Sequence, residues 1–364
     1  MEYEIDVIGV GKESKSGDAI AVRWGNLHGG CDEQKVVLID GGFQESGQDI
    51  VNHIKHYYET TRIDAIVSTH PDQDHVNGLH VVLDELTVKQ LWIHKPWEHN
   101  QGLSGKFLDG RITDESVGRR LKESLESASN LVGKAIKKGV HIVEPFRGIS
   151  LYNQGEFIVI GPTKEFYESL IPEFDGMPEA NTKIASGLIK LAGKATPTLK
   201  RYMSTWGVDA LDDNDTTSAK NNSSTIILLA VDDQYLLFTG DAGITALNNA
   251  ADQLDAIRNG APLRFIQIPH HGSRRNVGPT ILNRLVGEPV LEGEKRPISA
   301  IASTAKKGDP KHPRKAVMNA LTHRGVSAMA TRGKTIRHHY NAPKREGWTS
   351  IEPEAYYYVY DDEE

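Results

Sequence analysis

Short apolar segments alternate with amphipathic segments along most of this chain. Runs such as KVVLID, IDAIVS, YLLFTG and RFIQIP have the length and apolar content of buried strands. The stretches QDIVNHIKHYYE and TALNNAADQLDAI have apolar residues at helical spacing instead. An alternation of this kind on both halves of a chain is typical of a layered α/β protein in which helices cover sheets.

The middle of the chain departs from this alternation. Residues Thr113 to Lys138 carry the pattern of one long amphipathic helix, and a pair of strands is predicted at VHIVEP and FIVIGP. From about Pro172 to Asn222 the composition shifts to a helical piece, EANTKIASGLIKLAG, and then to the polar run DDNDTTSAKNNSS, which is typical of a loop. We interpret residues 172–222 as an insertion within a single domain that spans residues 1–364.

The composition excludes several classes of protein. Cys31 is the only cysteine, which excludes an intrachain disulfide and a zinc cage built from thiolates, so any metal must be held by His, Asp and Glu. The formal charge of −7 argues against a protein coated in positive charge for nonspecific binding of duplex DNA, but leaves room for a local basic groove. No run approaches the roughly 18 apolar residues of a membrane span, and no signal peptide is visible, so a cytoplasmic protein without a membrane partner is expected.

Four separated segments share one feature, an apolar strand followed by residues that can bind a metal. They are HPDQDH after IDAIVST, Asp241 after YLLFTG, His270 and His271 after RFIQIP, and His312 in the loop beyond SAIAST. Side chains at the same ends of neighbouring strands can meet in one cleft. Because nitrogen and oxygen ligands would come from several strands, the pattern indicates a hydrolytic centre with two metal ions.

The order and spacing of these motifs resemble the metallo-β-lactamase superfamily, whose hallmark is a His-x-His-x-Asp-His turn followed by a Gly-Asp and by further histidines at strand ends. The turn here is His-Pro-Asp-Gln-Asp-His, so that Asp72 stands at the position of the second histidine. HPDQDHVNG, LLFTGD and PHHGS, with GDAI and VLIDGG before them and KHP after them, are similar to the hydrolase domain of ComEC-like DNA-uptake competence proteins and their soluble relatives. The resemblance implies a four-layer αββα sandwich with a helical and loop insertion.

The resemblance also implies a set of metal ligands. His70 and Asp72 would hold a first divalent ion, Asp74 and His75 a second, and Asp241 would bridge the two. Asp74 and Asp72 are further expected to act in catalysis, Asp74 by orienting or deprotonating the nucleophile.

Three more histidines complete the expected set. His271 would be a ligand or would contact the scissile phosphate, which makes it a third predicted catalytic residue. His270 is the weaker candidate of the pair, because neighbouring side chains on a strand point to opposite faces, although a twisted strand end could reverse this. His312 resembles the last histidine of nucleases in the superfamily.

The histidine that usually follows a middle strand is missing from its expected place. His94 and His99, in WIHKPWEH, are alternatives for that position, and His141 is a weaker one because it fits a surface or core histidine better.

A carboxylate at Asp72 makes the centre harder and more anionic. This shifts the preference from Zn²⁺ towards Mn²⁺ or Mg²⁺, although Zn²⁺ still fits, and harder ions suit phosphate oxygens. Basic residues near the later motifs could hold a phosphodiester strand, and the predicted substrate-binding residues are Ser273, Arg274, Arg275 and Lys311. The basic run TRGKTIRHHYNAPKR is a further candidate surface for the strand.

The leading hypothesis is therefore a metal-dependent phosphodiesterase, a nuclease acting on DNA and on single strands in particular. One alternative is a small-molecule hydrolase for cyclic nucleotides, other phosphodiesters or lactones. A second alternative is a metal-poor protein that binds a partner protein through the insertion. The acidic overall charge is the main argument against the nuclease.

Overall fold

The computed structural model of the protein describes residues 1–11, 15–181, 199–307 and 312–363. In chain order, the strands of these residues are β1 (Glu2–Val7), β2 (Ile20–Gly25), β3 (Gln34–Ile39), β4 (Arg62–Val67), β5 (Thr87–Trp92), β6 (His141–Val143), β7 (Phe157–Gly161), β8 (Leu199–Met203), β9 (Ile226–Val231), β10 (Gln234–Phe238), β11 (Leu263–Gln267), β12 (Ser299–Ala302), β13 (Ser327–Ala330), β14 (Ile336–Tyr340) and β15 (Val359–Glu363). The α-helices are α1 (Ser46–Tyr57), α2 (Gln73–Val76), α3 (Leu79–Glu85), α4 (Asp114–Ser124), α5 (Glu126–Lys137), α6 (Lys164–Leu170), α7 (Ala219–Asn222), α8 (Ile244–Arg258), α9 (Pro279–Val286) and α10 (Lys315–Thr322).

Two large sheets organise these elements. The first has the strand order β14-β1-β2-β3-β4-β5-β6, and the second has the order β13-β12-β11-β10-β9-β7. Neighbours from β3 to β6 and from β10 to β13 are parallel, and the remaining neighbours in both sheets are antiparallel. Strands β8 and β15 form a separate antiparallel pair.

The two large sheets pack face to face and are covered by helices on their outer faces. Alternate residues of β2 show the division, because Ile20 and Val22 face the core between the sheets while Ala21 faces the helices. Helices α1, α3 and α5 cover the first sheet, and α8, α9 and α10 cover the second. Each fully buried Val, Leu or Ile side chain contributes roughly 1.5–3 kcal/mol to this packing. The predicted four-layer αββα sandwich is confirmed.

Helix α4 ends where α5 begins, so the single helix predicted from Thr113 to Lys138 is wrong. Leu125 separates them with φ −113° and ψ 41°, outside the helical region. The break lets Leu121 and Leu125 pack with Tyr167, while Leu131 on α5 packs against the first sheet. Two apolar faces with different partners therefore replace one continuous face.

The strand pair predicted at VHIVEP and FIVIGP is also wrong. Both strands form, but β6 pairs with β5 at the edge of the first sheet and β7 pairs with β9 at the edge of the second. Strand β14 was not predicted, because its sequence IRHHY is polar and was assigned to a basic surface.

The insertion is described only in part. Most of its predicted helical piece, residues 182–193, lies outside the described residues. The polar run contains the short helix α7, which begins after Ser218, whose hydroxyl accepts a hydrogen bond from Asn221 N at 3.0 Å. A loop throughout this run was therefore a wrong prediction at α7. Within the described ranges, none of the helices is both long enough and apolar enough to cross a bilayer.

Candidate metal centre

The ends of four strands meet where the two sheets approach each other. Asp40 follows β3 and the HPDQDH turn follows β4 in the first sheet, while Asp241 follows β10 and the histidine pair follows β11 in the second. Thr225 N donates to Thr69 O at 2.9 Å and so joins the two sheets beside this point. The fold therefore brings the separated sequence motifs to one place.

The HPDQDH turn is held against the loop after β3. Gly41 N donates to His75 O at 2.7 Å, and Gly78 N donates to Gly42 O at 3.1 Å. A side chain at Gly78 would place its Cβ 1.9 Å from Gly41 O, so only glycine allows this approach. Asp72 occupies the N-cap position of α2, yet its side chain makes no capping hydrogen bond. The Asp72 carboxylate therefore does not cap the helix.

Asp241 lies between two groups of possible ligands. Its Oδ1 is 3.5 Å from His75 Nε2, and its Oδ2 is 3.6 Å from His70 Nε2 and 3.7 Å from His270 Nε2. One carboxylate therefore faces both groups with different oxygens.

Asp74 extends the group around His75. Its Oδ2 is 3.8 Å from His75 Nε2 and 3.5 Å from His271 Nε2. His70, His75 and Asp241 form one cluster whose donor atoms could hold a metal ion, and Asp74, His75 and His271 form another.

The histidines of the centre are oriented as metal ligands usually are. His75 Nδ1 lies 2.8 Å from Asp40 Oδ2, and His271 Nδ1 lies 3.0 Å from Ser303 O. His70 Nδ1 lies 3.1 Å from the Thr69 hydroxyl. These acceptors favour the tautomer with the proton on Nδ1, which leaves the Nε2 lone pair directed into the centre.

Several polar atoms in the centre are buried without a hydrogen-bond partner. They are Nε2 of His70, His75 and His271 and Oδ1 of Asp241. Buried polar atoms are normally paired, and imidazole nitrogen with carboxylate oxygen is a donor set for a divalent ion. The residues present therefore fit a metal centre.

Carboxylates dominate the electrostatics of the centre. Burial lowers the pKa of His75, but the charges of Asp241, Asp40 and Asp74 outweigh burial and raise it well above its ordinary value. Burial likewise lowers the pKa of His271, and neighbouring carboxylates, led by Asp18, raise it to about 10. Such a field favours the binding of cations.

His270 and His271 lie in a turn after β11, and they do not alternate as strand residues would. Their φ angles are 48° and 55°, in the left-handed region. This backbone directs Nε2 of His270 to Asp241 and Nε2 of His271 to Asp74. The argument from strand alternation against His270 was wrong, because the strand has already ended at Gln267.

His312 lies next to the histidine pair. Its ring is stacked on His270 with centroids 5.9 Å apart, and its centroid is 6.3 Å from that of His271. The other histidines considered have separate environments. His94 lies 3.3 Å from the Thr225 hydroxyl and stacks on Tyr167.

His99 is held between two carboxylates, Glu144 at 2.9 Å and Glu168 at 2.8 Å. Hydrogen bonding to Glu144 raises the pKa of His99 above its ordinary value, which is the behaviour of an ion-paired structural histidine. His141 lies at the start of β6 and is exposed.

Three residues near the centre were not among the predicted site residues. Asp40 accepts hydrogen bonds from Thr69 N at 2.8 Å and from the Thr69 hydroxyl at 2.7 Å in addition to facing His75. Asp18 is buried, with Oδ1 3.5 Å from His271 Nδ1. Lys220 reaches Asp72 from the insertion, with Nζ 2.5 Å from Oδ1.

The signals for these residues differ. Asp18 and Asp40 lie in GDAI and VLIDGG, where an acidic residue next to glycine at a strand boundary was a visible but unused signal. Lys220 lies in a polar run far from Asp72 in sequence and carries no local signal.

The predicted substrate-binding residues have unequal roles. Arg275 is exposed, whereas Arg274 Nε lies 3.7 Å from Asp215 Oδ2. The buried Ser273 hydroxyl accepts a hydrogen bond from Arg275 N at 3.4 Å, so it stabilises the turn after the histidine pair. Lys311 lies outside the described residues.

Two arginines of the basic run near the C-terminus pair with buried carboxylates, whereas Arg332, Lys334 and Lys344 of the same run are exposed. Arg337 pairs with the buried Glu4, and Arg345 Nη2 lies 2.7 Å from both Glu4 and Asp6. These arginines neutralise carboxylates of β1, because the run contains β14, which pairs with β1.

The fold and the centre define a four-layer α/β protein with histidine and aspartate clusters that could hold a divalent metal ion. Residues 30–163 match the model of the metallo-beta-lactamase superfamily. That segment contains Asp40 and the HPDQDH turn and ends before Asp241. The match therefore shows that this segment is similar to the superfamily.

Solved structures show a weak similarity over most of the chain. Unliganded yeast PDE1 has a TM-score of 0.44 at 10% identity, covering 92% of this chain and 99% of its own. A diphosphatase from the PhnP family has a TM-score of 0.40 at 12% identity, covering 93% and 98%. A metallo-beta-lactamase from Hirschia baltica has a TM-score of 0.30 at 13% identity, covering 78% and 91%. Scores this low leave substrate and reaction open, and a search of curated protein sequences found no match.

Proposed function

We propose that this protein is a metal-dependent phosphodiesterase that cleaves DNA, with single strands as the favoured substrate. The observation that carries the proposal is the position of Asp241, whose two oxygens face two different groups of histidines at 3.5–3.7 Å. A carboxylate shared in this way is the arrangement expected of a bridging ligand between two cations. The motifs similar to ComEC-like proteins support DNA as the substrate, and that branch assignment is part of the proposal.

In this proposal two divalent ions would be held by two donor groups that share Asp241. His70 Nε2, His270 Nε2 and Asp241 Oδ2 would hold the first, with Asp72 and His312 beside them. Asp74, His75 Nε2, His271 Nε2 and Asp241 Oδ1 would hold the second. When bound, such ions supply an activated water and neutralise charge on the attacked phosphoryl oxygen.

The side chains of the centre have distinct tasks. Asp40 keeps His75 in one orientation through Nδ1, and Ser303 O does the same for His271. The Asp74 side chain is 29% exposed while touching His271, so it can take a proton from a water molecule on the open side of the centre. The high carboxylate content favours Mn²⁺ or Mg²⁺ and still permits Zn²⁺.

A small phosphodiester is the second candidate substrate. A groove beside the HPDQDH turn is lined by several amide side chains, including those of Gln73, Asn77 and Asn130, and by both acidic and basic ones, including Glu123 and Lys134. Arg274, Arg337 and Arg345 are ion-paired within the protein and so supply less positive surface than the sequence predicted. Amide groups suit hydrogen bonding to a base or sugar better than they suit attraction to a polyanionic strand.

The test combines metal analysis with two substrates. The purified chain is assayed with Mn²⁺, Mg²⁺ and Zn²⁺ on a single-stranded DNA oligonucleotide and on a chromogenic phosphodiester. The proposal predicts cleavage of DNA that Asp74→Ala abolishes, with binding that weakens as salt rises and that Arg275→Ala weakens most at low salt.

Cleavage of the chromogenic ester alone would favour the small-molecule candidate. Absence of metal from the purified and metal-incubated protein would instead favour the partner-binding alternative, in which the insertion docks a protein. DNA cleavage by Asp74→Ala at the parent rate would refute the assignment of the centre.

A further inference from the structure

Among the described residues of the insertion, Lys220 is the only cation that reaches the metal centre. Its Nζ lies 2.5 Å from Asp72 Oδ1 and 3.2 Å from Asp175 Oδ2. The Lys220 side chain is 17% exposed and that of Asp175 is 82% exposed, so the inner partner is Asp72. The pair joins residues 148 positions apart in the sequence.

The position of Lys220 is set by the short helix that carries it. Asn221, the next residue, donates through Nδ2 to the Thr217 hydroxyl at 2.8 Å, and the same atom lies 3.0 Å from His270 Nδ1. Ser223 donates to Lys220 O at 2.6 Å. The ammonium group is thus held beside the centre by the same helix that contacts one of its histidines.

The two carboxylate oxygens of Asp72 have different partners. Its Oδ1 is taken by Lys220, and its Oδ2 remains 3.7 Å from His70 Nε2. On this side of Asp241, Asp72 therefore offers one oxygen, Oδ2, beside the imidazoles of His70 and His270. On the other side Asp74 adds its carboxylate to His75 and His271.

We propose that Lys220 is a positioning residue that occupies one oxygen of Asp72 and leaves only the other for the ion at His70 and His270, so that the two ions bind with unequal affinity. This inference rests on the proposed metal-dependent function. An ammonium group carries three donors and no acceptor, so it competes with a divalent ion for the same carboxylate oxygens. The ion near Asp74 binds tightly, and the ion near His70 binds more weakly because Lys220 occupies part of its ligand set.

The test is a calorimetric titration of the metal-free protein with Mn²⁺ in the absence of substrate. The parent protein is expected to show one tight and one weaker class of site. Lys220→Met frees the second oxygen of Asp72 and removes a positive charge close to the ion, so it is expected to tighten the weaker class by about 10-fold or more. An unchanged or weaker affinity in Lys220→Met would overturn the inference.

Two controls separate this role from a general one. Asp175→Asn removes the outer partner of Lys220 and leaves Asp72 paired, so it should not change the weaker class. Lys220→Arg keeps a cation at the position and should retain weak binding. A tightening by Asp175→Asn equal to that of Lys220→Met would show that anchoring of the insertion, and not the pairing of Asp72, sets the affinity.

The route through Asp72 is tested with the double variant. If Lys220 acts through Asp72, the gain from Lys220→Met is larger with Asp72 present than in the Asp72→Asn background, whereas equal gains mean that Lys220 acts only by its charge. Absorption of bound Co²⁺ should change in Lys220→Met, because the second oxygen of Asp72 becomes free to coordinate. Lys220→Gln replaces Lys220→Met if the latter fails to fold by circular dichroism.

These outcomes distinguish the inference from the proposed function. A parent protein that binds no metal contradicts both. Two classes of site that Lys220→Met leaves unchanged contradict only the role of Lys220.

Discussion

Two clusters of buried charge in this protein differ in how they are balanced. In the arginine cluster, which we define as Glu4, Asp6, Arg23, Arg337 and Arg345, guanidinium groups face the carboxylates. Arg23 Nε donates to Glu4 at 2.6 Å, and Arg345 holds both oxygens of Asp6 at 2.9 and 2.7 Å. This cluster carries its own cations and needs no ligand.

The metal centre also contains buried carboxylates, those of Asp18, Asp40 and Asp241, but they have different partners. The ion pairs of Asp241 are made with His70, His75 and His270, and the Nε2 atoms of two of these histidines lack a hydrogen bond. A histidine can exchange its proton for a metal ion, whereas an arginine keeps its proton, so the two clusters balance their carboxylates in different ways. Arginine therefore balances most of the buried charge in the arginine cluster, whereas several histidines that can bind a metal converge on Asp241 in the centre.

The largest expected effect is that of Asp241→Asn. The change is isosteric and removes the charge that both groups of ligands share, so hydrolytic activity should fall by about 1000-fold or more, as for other charge-stabilising groups in active sites. Metal analysis should show the loss of bound ions. Circular dichroism should show an intact fold. If Asp241→Asn kept the parent activity, the proposed difference between the arginine cluster and the metal centre would be wrong.

Glu4→Gln should lower the stability of the fold and leave metal binding and activity unchanged. Removing one member of a buried charge network leaves arginines uncompensated and costs about 3 kcal/mol of the free energy of unfolding. Denaturant unfolding measures this loss. Metal content and activity per folded molecule should stay at the parent level, and a loss of metal would mean that the arginine cluster is coupled to the centre.

Asp40→Asn should weaken metal binding without removing a ligand. Asp40 faces His75 Nδ1 at 2.8 Å, and loss of such an orienting carboxylate typically lowers metal affinity by about 10- to 100-fold. Titration with Mn²⁺ measures the change. Asp64→Asn is the matched control, because Asp64 is a buried carboxylate that pairs with Lys89 at 2.7 Å, and equal weakening by both variants would contradict the role of Asp40.

The smallest expected effect is the loss of the stability that Asp6 contributes to the fold at acid pH. Burial raises the pKa of Asp6, but His53 and Arg345 outweigh burial and lower it to about 2. A depressed pKa contributes stability that is present above the ordinary value of about 3.8 and is lost as the pH falls towards 2. Unfolding curves of the parent and Asp6→Asn should therefore converge in this range, and a constant difference would contradict the assignment.

The fold was predictable because burial imposes a simple pattern on the sequence. Strands such as β4 and β11 are short apolar runs, and the turn at Asp232 and Asp233 joins β9 and β10 as expected. Strand β14 was not predicted because it lies at a sheet edge, where its sequence IRHHY needs no apolar alternation. Its arginine, Arg337, pairs with Glu4 of β1.

The metal centre was predictable to a smaller extent. The structure brings together His70, Asp74, His75, Asp241, His270 and His271, and places His312 beside them. These residues carry a signal because each follows an apolar strand. The orientation of His270 did not follow from the sequence, because positive φ angles at two adjacent histidines depend on packing around the turn.

The sequence by itself determined the layered fold and the residue types that gather at the strand ends, since hydrophobic periodicity and short motifs are local properties. Only the tertiary structure decided which carboxylates are paired with an arginine or a lysine of the protein. Arg337 and Arg345 come to Glu4 and Asp6 from the other end of the chain, and Lys220 comes to Asp72 from the insertion. Charge balance depends on distances between remote segments, and a linear sequence does not contain those distances.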